Sequence, residues 1–307
     1  MLMKKAFFAI GFTLVNVGYL FSQGCSDAGF CSIGGMKNYR AGQEVNKNKL
    51  SILLANGIGD ESVYVFTPAI EYEHGFYGGW AFQTKFTANY ASGNLGSVVG
   101  PGDIFITGIK NLELQHNWKA AFTLGVKLPL SNSNGKKDGL SLPMQYQSSL
   151  GTVDIIGGIT FSNNRWAFSA GWQQPVTGTN GNQFLPVYWG SNINAYKYQP
   201  SNDFNRKSDV LLKATYDIVQ SKWLIKAGLL AIYHVGNDTY INGNISNRPI
   251  ALKGSAGLTL NATGGIWYRS KNVTLGIVAG APFVVRDIRP DGLTRSFVAS
   301  PEISFNF

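Results

Sequence analysis

From residue 49 to the C-terminus, apolar and polar residues alternate with a period of two, the period of a β-strand whose two faces meet different surroundings. The alternation falls into twelve runs, near residues 49–57, 63–73, 79–90, 103–111, 117–129, 151–161, 165–174, 208–218, 222–234, 253–268, 272–286 and 295–307. Most are about 10–13 residues long, close to the ~9–11 that a tilted strand needs to cross a bilayer and about twice the usual strand of a soluble protein. The connections at 74–78, 112–116, 162–164, 219–221 and 269–271 are short. They alternate with those at 58–62, 91–102, 130–150, 175–207, 235–252 and 287–294, most of which are longer. An even strand number, with tight turns at one end and long loops at the other, is the layout of a transmembrane antiparallel β-barrel. The expected fold class is therefore all-β, a barrel of about 12 strands over residues 49–307, with both ends of the barrel chain on the periplasmic side.

The two faces of each run differ in the way such a barrel requires. In 117–129 one set is Trp118, Ala120, Phe122, Leu124, Val126 and Leu128, and the other is Lys119, Ala121, Thr123, Gly125 and Lys127. The runs 79–90, 165–173 and 209–218 divide in the same way. Only 14 % of residues are charged, where a soluble domain carries about 25 %. A soluble sandwich also alternates, but its outer face is richer in charge. Rings recur near strand ends, at Trp80, Tyr90, Trp118, Trp166, Trp172, Trp223, Tyr233 and Tyr268, where amphipathic aromatics suit the two membrane interfaces. No apolar run after residue 22 approaches the ~20 residues of a membrane helix. The run 103–111 resists the scheme, because strict alternation sends Asp103 and Lys110 to opposite faces; a bulge would bring both inward.

The N-terminus reads as a secretory signal peptide over residues 1–22: Lys4 and Lys5, then an apolar stretch, then small residues before a cut after Ser22. Residues 23–48 lack the period of two and form either a periplasmic tail or a plug. Cys25 and Cys31 lie close together there. In an oxidising compartment they pair as a small disulfide loop, the rivals being acylation of Cys25 or free thiols. The net charge of +9 comes from residues spread without a basic cluster, which argues against a nucleic-acid partner.

No G-x-S-x-G, H-E-x-x-H or phosphate-binding loop occurs, and no cofactor or energy-coupling element is visible, so the chain reads as a non-enzyme without cofactor or metal. An outer-membrane lipid hydrolase would need a lipid-facing Ser-His pair, and His234 faces inward. Function is expected in the lumen. Its charged lining is Glu71, Lys85, Lys119, Lys127, Asp154, Arg165, Asp209, Lys213 and Lys226, with Glu73, Asp217 and Glu302 beside them. These either set selectivity in a water-filled pore or pair and satisfy one another. A twelve-stranded barrel lies between those that side chains fill and those that leave an open channel. The loop 175–207 is rich in rings, and Tyr188, Trp189 and Tyr196 are candidates for stacking a ligand; the alternative is a lid packed on its neighbours. The stretch Asn237-Asp238-Thr239-Tyr240 matches no calcium loop.

The chain ends Ile303-Ser304-Phe305-Asn306-Phe307, which resembles the C-terminal signal that outer-membrane barrels present to their assembly machinery. The segment Gly102-Asp103-Ile104-Phe105-Ile106-Thr107-Gly108-Ile109-Lys110, followed by Leu124-Gly125-Val126-Lys127-Leu128-Pro129 and a Gly-rich loop, resembles the putative outer-membrane transporters of the phenol-degradation meta-pathway. That family is similar to the long-chain fatty-acid transporter class. The resemblance implies uptake of small molecules, hydrophobic or aromatic ones among them. The chain departs from the family pattern in having Leu130-Ser131 after the Pro. The resulting expectation is a passive outer-membrane transporter of a Gram-negative bacterium, porin-like, in contact with lipid, the assembly machinery and a small solute. Its gate would be the loop 175–207, helped by residues 23–48. A barrel with a closed lumen, serving a secretion or surface complex, is the alternative.

Overall fold

A strand with an apolar outer face leaves its backbone groups unpaired at each edge, and in lipid these can be satisfied only by closing the sheet on itself. The computed structural model of the chain describes residues 48–293 and 295–307. Its strands in chain order are β1 (Asn48–Gly59), β2 (Tyr64–Gly75), β3 (Trp80–Gly93), β4 (Gly96–Glu113), β5 (Lys119–Pro129), β6 (Lys136–Lys137), β7 (Leu140–Ser141) and β8 (Asp154–Ser162). They continue with β9 (Trp166–Pro175), β10 (Asp209–Gln220), β11 (Trp223–His234), β12 (Thr239–Asn242), β13 (Ser246–Ala251), β14 (Gly257–Arg269), β15 (Val273–Val284) and β16 (Arg295–Asn306). Twelve of them form a closed antiparallel barrel in the order β1-β2-β3-β4-β5-β8-β9-β10-β11-β14-β15-β16, with β16 paired back to β1. The pairs β6–β7 and β12–β13 are small hairpins inside the loops 130–153 and 235–256. The signal-peptide segment and Cys25–Cys31 lie outside the described residues.

The outer face is apolar all round. Leu124, at the centre of β5, is 67 % exposed, and Phe82, Phe86, Ile106, Phe122, Phe168, Leu212, Leu229 and Ile277 are exposed with it. Their chain neighbours Gln83, Lys85, Thr107, Thr123, Ser169 and Leu211 are buried on the inner face. A belt of this extent far exceeds what a soluble monomer shows to water. Trp80, Trp166 and Trp223 stand outward beside the short turns, Trp223 packed edge-on to Tyr268 and Trp166 against Phe168 and Tyr216.

One long connection is absent. The stretch 91–102 was expected to be a loop, but β3 and β4 continue through it to a two-residue turn between Gly93 and Gly96. Gly96 holds φ +140, which a side chain rarely adopts, and so the hairpin closes tightly. The register shifts between Phe86 and Ala88, opposite Gly102 and Asp103, so a bulge is present. It does not bring Lys110 inside. Asp103 turns inward and accepts from Ser149 Oγ at 2.5 Å, while Lys110 stays on the lipid-facing side beside the short turn, its ammonium 2.6 Å from Gly78 O and 4.8 Å from the Trp80 ring centroid.

Candidate functional site

Seven of the charged residues expected in the lumen are brought onto its wall, and two are not. Glu71, Lys85, Lys127, Asp154, Asp209, Lys213 and Lys226 occupy inward positions on β2, β3, β5, β8, β10 and β11. Arg165 is exposed in the turn between β8 and β9, because the turn starts before the alternation does; Asn163 Oδ1 accepts from its backbone N–H at 2.9 Å. Lys119 opens β5 at the rim and reaches the exposed Glu113 at 3.0 Å rather than the interior.

The wall charges separate into two levels. In the inner half, near the turns, β2 and β10 are six strands apart and so face each other. Glu71 and Glu73 lie on β2, with Lys85 opposite Glu71 on β3; Asp217 of β10 lies 3.3 Å from Lys226 of β11, and Lys49 lies 3.8 Å from Glu302. Water reaches this level in part: Lys49 is 22 % exposed, Lys226 14 % and Glu302 11 %, whereas Glu71, Glu73 and Lys85 are buried.

The outer half is packed. Lys127 lies 2.9 Å from Asp154 and donates to Thr152 Oγ1 at 3.2 Å, while Gln173 Nε2 donates to Asp154. Arg206 pairs with Asp209 and with Asp291 (3.4 Å), and Arg286 with Asp291 (2.5 Å). Each ring nitrogen of His234 faces a carboxylate, Asp209 at 2.7 Å and Asp238 at 2.8 Å. None of these ion-pair side chains is more than 5 % exposed. Burial works against charge on Asp291, but the guanidiniums of Arg286 and Arg206 outweigh it and hold its carboxyl well below the usual carboxylate range. Burial likewise disfavours the charged Arg206, and the surrounding aspartates, Asp209 foremost, push it upward. The network joins β10 and β11 to the loops 176–208, 235–256 and 285–293. Asp238 is spent in it, also accepting from Lys207 N at 2.8 Å, and among the described residues no group of His, Cys, Asp and Glu has the make-up of a metal site.

Four loops meet over the mouth above this network. Residues 141–150 are buried without a break. They start from the β5–β8 side and reach the loop between β15 and β16, six strands away, where Gln145 Nε2 donates to Arg289 O at 3.3 Å. On the way Tyr146 Oη accepts from Leu95 N at 3.0 Å, and Asn89 Nδ2 donates to Ser148 O. Leu142 and Tyr146 pack with Phe184 and Tyr198; Met144 and Leu150 pack with Phe204 and Leu252. Of the three candidate stacking rings, Tyr188 and Tyr196 are exposed and Trp189 donates from Nε1 to Ser141 O at 3.0 Å, tying one loop to the other. The loop 176–208 thus spends Phe184, Tyr198 and Phe204 on packing. The deeper obstruction is the loop 130–153, which the sequence reading passed over; its signal was Leu142, Met144, Tyr146 and Leu150 among amides and serines. Trp267 was missed too. It points into the barrel, its indole laid over Gly265 and Gly276.

Gly292 anchors the inward loop. Its φ is +69, and a Cβ there would lie 2.6 Å from Met144 C and O and 2.7 Å from Gln145 Cα. Gly292→Ala is expected to push residues 141–150 off the mouth at a cost of about 1–3 kcal/mol from the backbone strain alone. Longer open events in single-channel recordings would show it, and unchanged recordings would refute it.

Fold, apolar belt and paired lumen together define an outer-membrane β-barrel protein. No protein-family model and no curated protein sequence matches the chain, so the phenol-degradation resemblance stands on its motifs alone. Among solved structures the chain is similar to an outer membrane channel from Pseudomonas putida F1, with a TM-score of 0.60 at 14 % identity over 88 % of this chain and 100 % of that one. It also overlays on NanC porin (TM-score 0.46, 11 % identity, 84 % of this chain, 98 % of that one) and KdgM porin (0.43, 8 %, 84 % and 99 %), scores at which the likeness carries no argument.

Proposed function

We propose that the chain is a passive, gated channel for small molecules, held closed by the loops 130–153 and 176–208. The observation that supports this most is the contrast between the two lumen levels: Lys49, Lys226 and Glu302 near the turns, which water partly reaches, and a packed, ion-paired stopper above them. Charges that water reaches inside a barrel are what a selective pore uses. With no coupling element in the sequence, transport runs down the gradient. The charged wall favours polar solutes, and the hydrophobic or aromatic class implied by the family resemblance is best treated as a competing probe. The residues around Cys25 and Cys31 are a second candidate stopper.

The test is single-channel recording of the refolded full chain in a planar bilayer, with and without reductant. Brief openings from a mostly closed level are expected, and relief by reductant would assign part of the closure to the Cys25–Cys31 segment. Silence at every voltage, in both conditions, would favour the closed structural barrel.

A further inference from the structure

Cations are spread unevenly around the turn end of the barrel. Between β2 and β3, residues 76–79 carry no charge. The cations beside the turn from β4 to β5 are engaged, Lys110 on Gly78 O at 2.6 Å and Lys119 on Glu113 at 3.0 Å. The next three short turns differ. Arg165 stands between β8 and β9, Lys222 between β10 and β11, and Lys271 between β14 and β15. All three are exposed, and residues 163–165, 221–222 and 270–272 include no acid. None of the three belongs to an ion pair among the described residues. The turns are consecutive on the rim, since β9 pairs with β10 and β11 with β14. Backbone bonds tie them together, Asp217 N to Arg165 O at 2.7 Å and Arg269 N to Lys222 O at 2.8 Å. Two strand spacings, about 10 Å, separate one turn from the next. Beside these turns the lipid face carries paired rings, Trp166 with Tyr216 (centroids 4.7 Å) and Trp223 with Tyr268 (5.1 Å). The Lys222 ammonium lies 5.9 Å from the Tyr268 centroid.

A lone lysine at a membrane interface is explained by its stem lying along apolar surface while its head reaches water. That does not explain three unpaired cations on three successive turns and none on the rest of the rim. An acidic protein docking from the aqueous side would need cations that project away from the barrel. Lys222 is instead held at the depth of the interfacial rings, where headgroups lie. A phospholipid meets both parts of the surface. Its phosphodiester reaches the cations, and its acyl chains run along the apolar face beside the ring pairs. We infer that Arg165, Lys222 and Lys271, above Trp166, Trp223 and Tyr268, form a docking surface for anionic phospholipid headgroups in the leaflet at the turn end, the periplasmic one in a barrel of this layout. A headgroup with two phosphodiesters fits best, because it spans neighbouring turns and meets a cation on each. The inference requires the membrane-spanning barrel and is independent of the channel reading.

The probe is cardiolipin, with phosphatidylcholine as the zwitterionic control and inositol hexakisphosphate as a soluble polyanion. Native mass spectrometry of the detergent-solubilised full chain should show cardiolipin held at least tenfold more tightly than phosphatidylcholine. One Lys or Arg beside an anionic lipid surface contributes roughly fivefold in affinity. Lys222→Gln should therefore weaken cardiolipin binding about fivefold, while Lys222→Arg keeps it. Replacing Arg165, Lys222 and Lys271 together by Gln should bring cardiolipin down to the phosphatidylcholine level. The control removes the same charge from the loop end, at the exposed Lys136, Arg248 and Lys253, and should leave the preference intact. All these side chains are exposed, so each variant should fold, as the gel-mobility shift of the barrel will show. Equal retention of the two lipids, a preference that survives the triple replacement, or an equal loss in the loop-end control would each overturn the docking surface. Inositol hexakisphosphate bound as tightly as cardiolipin would overturn it in favour of a soluble polyanion.

Discussion

Asp291→Ala is expected to release the outer mouth while leaving the barrel closed. Asp291 is the carboxylate shared by two buried guanidiniums, at 2.5 Å from Arg286 and 3.4 Å from Arg206. Without it, Arg206 keeps Asp209, and Arg286 keeps only Asp238 at 3.9 Å and the Ser255 carbonyl. Removing one partner from a buried ion pair typically costs about 3–5 kcal/mol, because the other charge stays desolvated. That cost falls on loops, since none of the barrel ladder depends on Asp291, so it appears as local opening rather than unfolding. Trypsin should then cleave at Arg206 or Lys207, which the native packing protects, and open events should lengthen. The partly exposed pair Arg289–Asp60 (2.8 Å) is the control, and Arg289→Ala should do much less. Acid should imitate the variant. The folded-state pKa of Asp291 lies below its unfolded value, so its contribution is fully present above the ordinary carboxylate range, near pH 4, and is lost as pH falls below it. Acid-induced opening that persists undiminished in Asp291→Ala, or a variant as trypsin-resistant as the parent, would remove the network's role as a latch.

The barrel was legible because its signal is repeated. Each strand carries the same alternation, and a single slip would send a whole set of side chains to the wrong face, so β5, with Phe122 and Leu124 out and Thr123 and Lys127 in, could be read from its own residues. Errors gathered where the period breaks. The hairpin at Gly93–Gly96 hid behind a bulge, which resets the alternation of β4 at Gly102 and Asp103, opposite Thr87. Arg165 was carried inward by extending a run one residue beyond its strand. The stopper was illegible for a different reason. Loop residues have no period, and their burial depends on partners far away in sequence, such as Gln145 with Arg289 or Asn182 with Leu142. Charges on the wall could be placed, but their pairing could not: Asp209 was read as a lining group, and it is held by Arg206 and His234. Trp267 was hidden by its neighbour, since Tyr268 satisfied the expectation of an interfacial ring.

The second large effect separates the two faces of one strand. Leu124→Arg should destabilise the barrel in lipid by about 2–4 kcal/mol, the cost of an arginine on the lipid face near the bilayer midplane. Leu124 is the sixth of the eleven residues of β5 and 67 % exposed, level with Gly108 on one neighbour and Gly157 on the other, so no adjacent side chain shields a guanidinium from the hydrocarbon. Thr123→Arg, one residue away, puts the same charge on the inner wall. There it stands opposite Ile109 and Gly158 on the inner wall, away from the hydrocarbon, and the expected loss is smaller by at least half. Both proteins should be compared by urea unfolding in the same vesicles, with the gel-mobility shift of the folded barrel as the readout. Leu124→Arg should also raise the fraction that fails to insert, whereas Thr123→Arg should insert normally and change ion selectivity. A soluble barrel or sandwich would reverse the order, because an arginine on a water-facing surface costs little and one pointing into a packed interior costs a great deal. Equal losses would mean that neither face of β5 meets lipid, and the membrane-spanning assignment of the belt would fall with it.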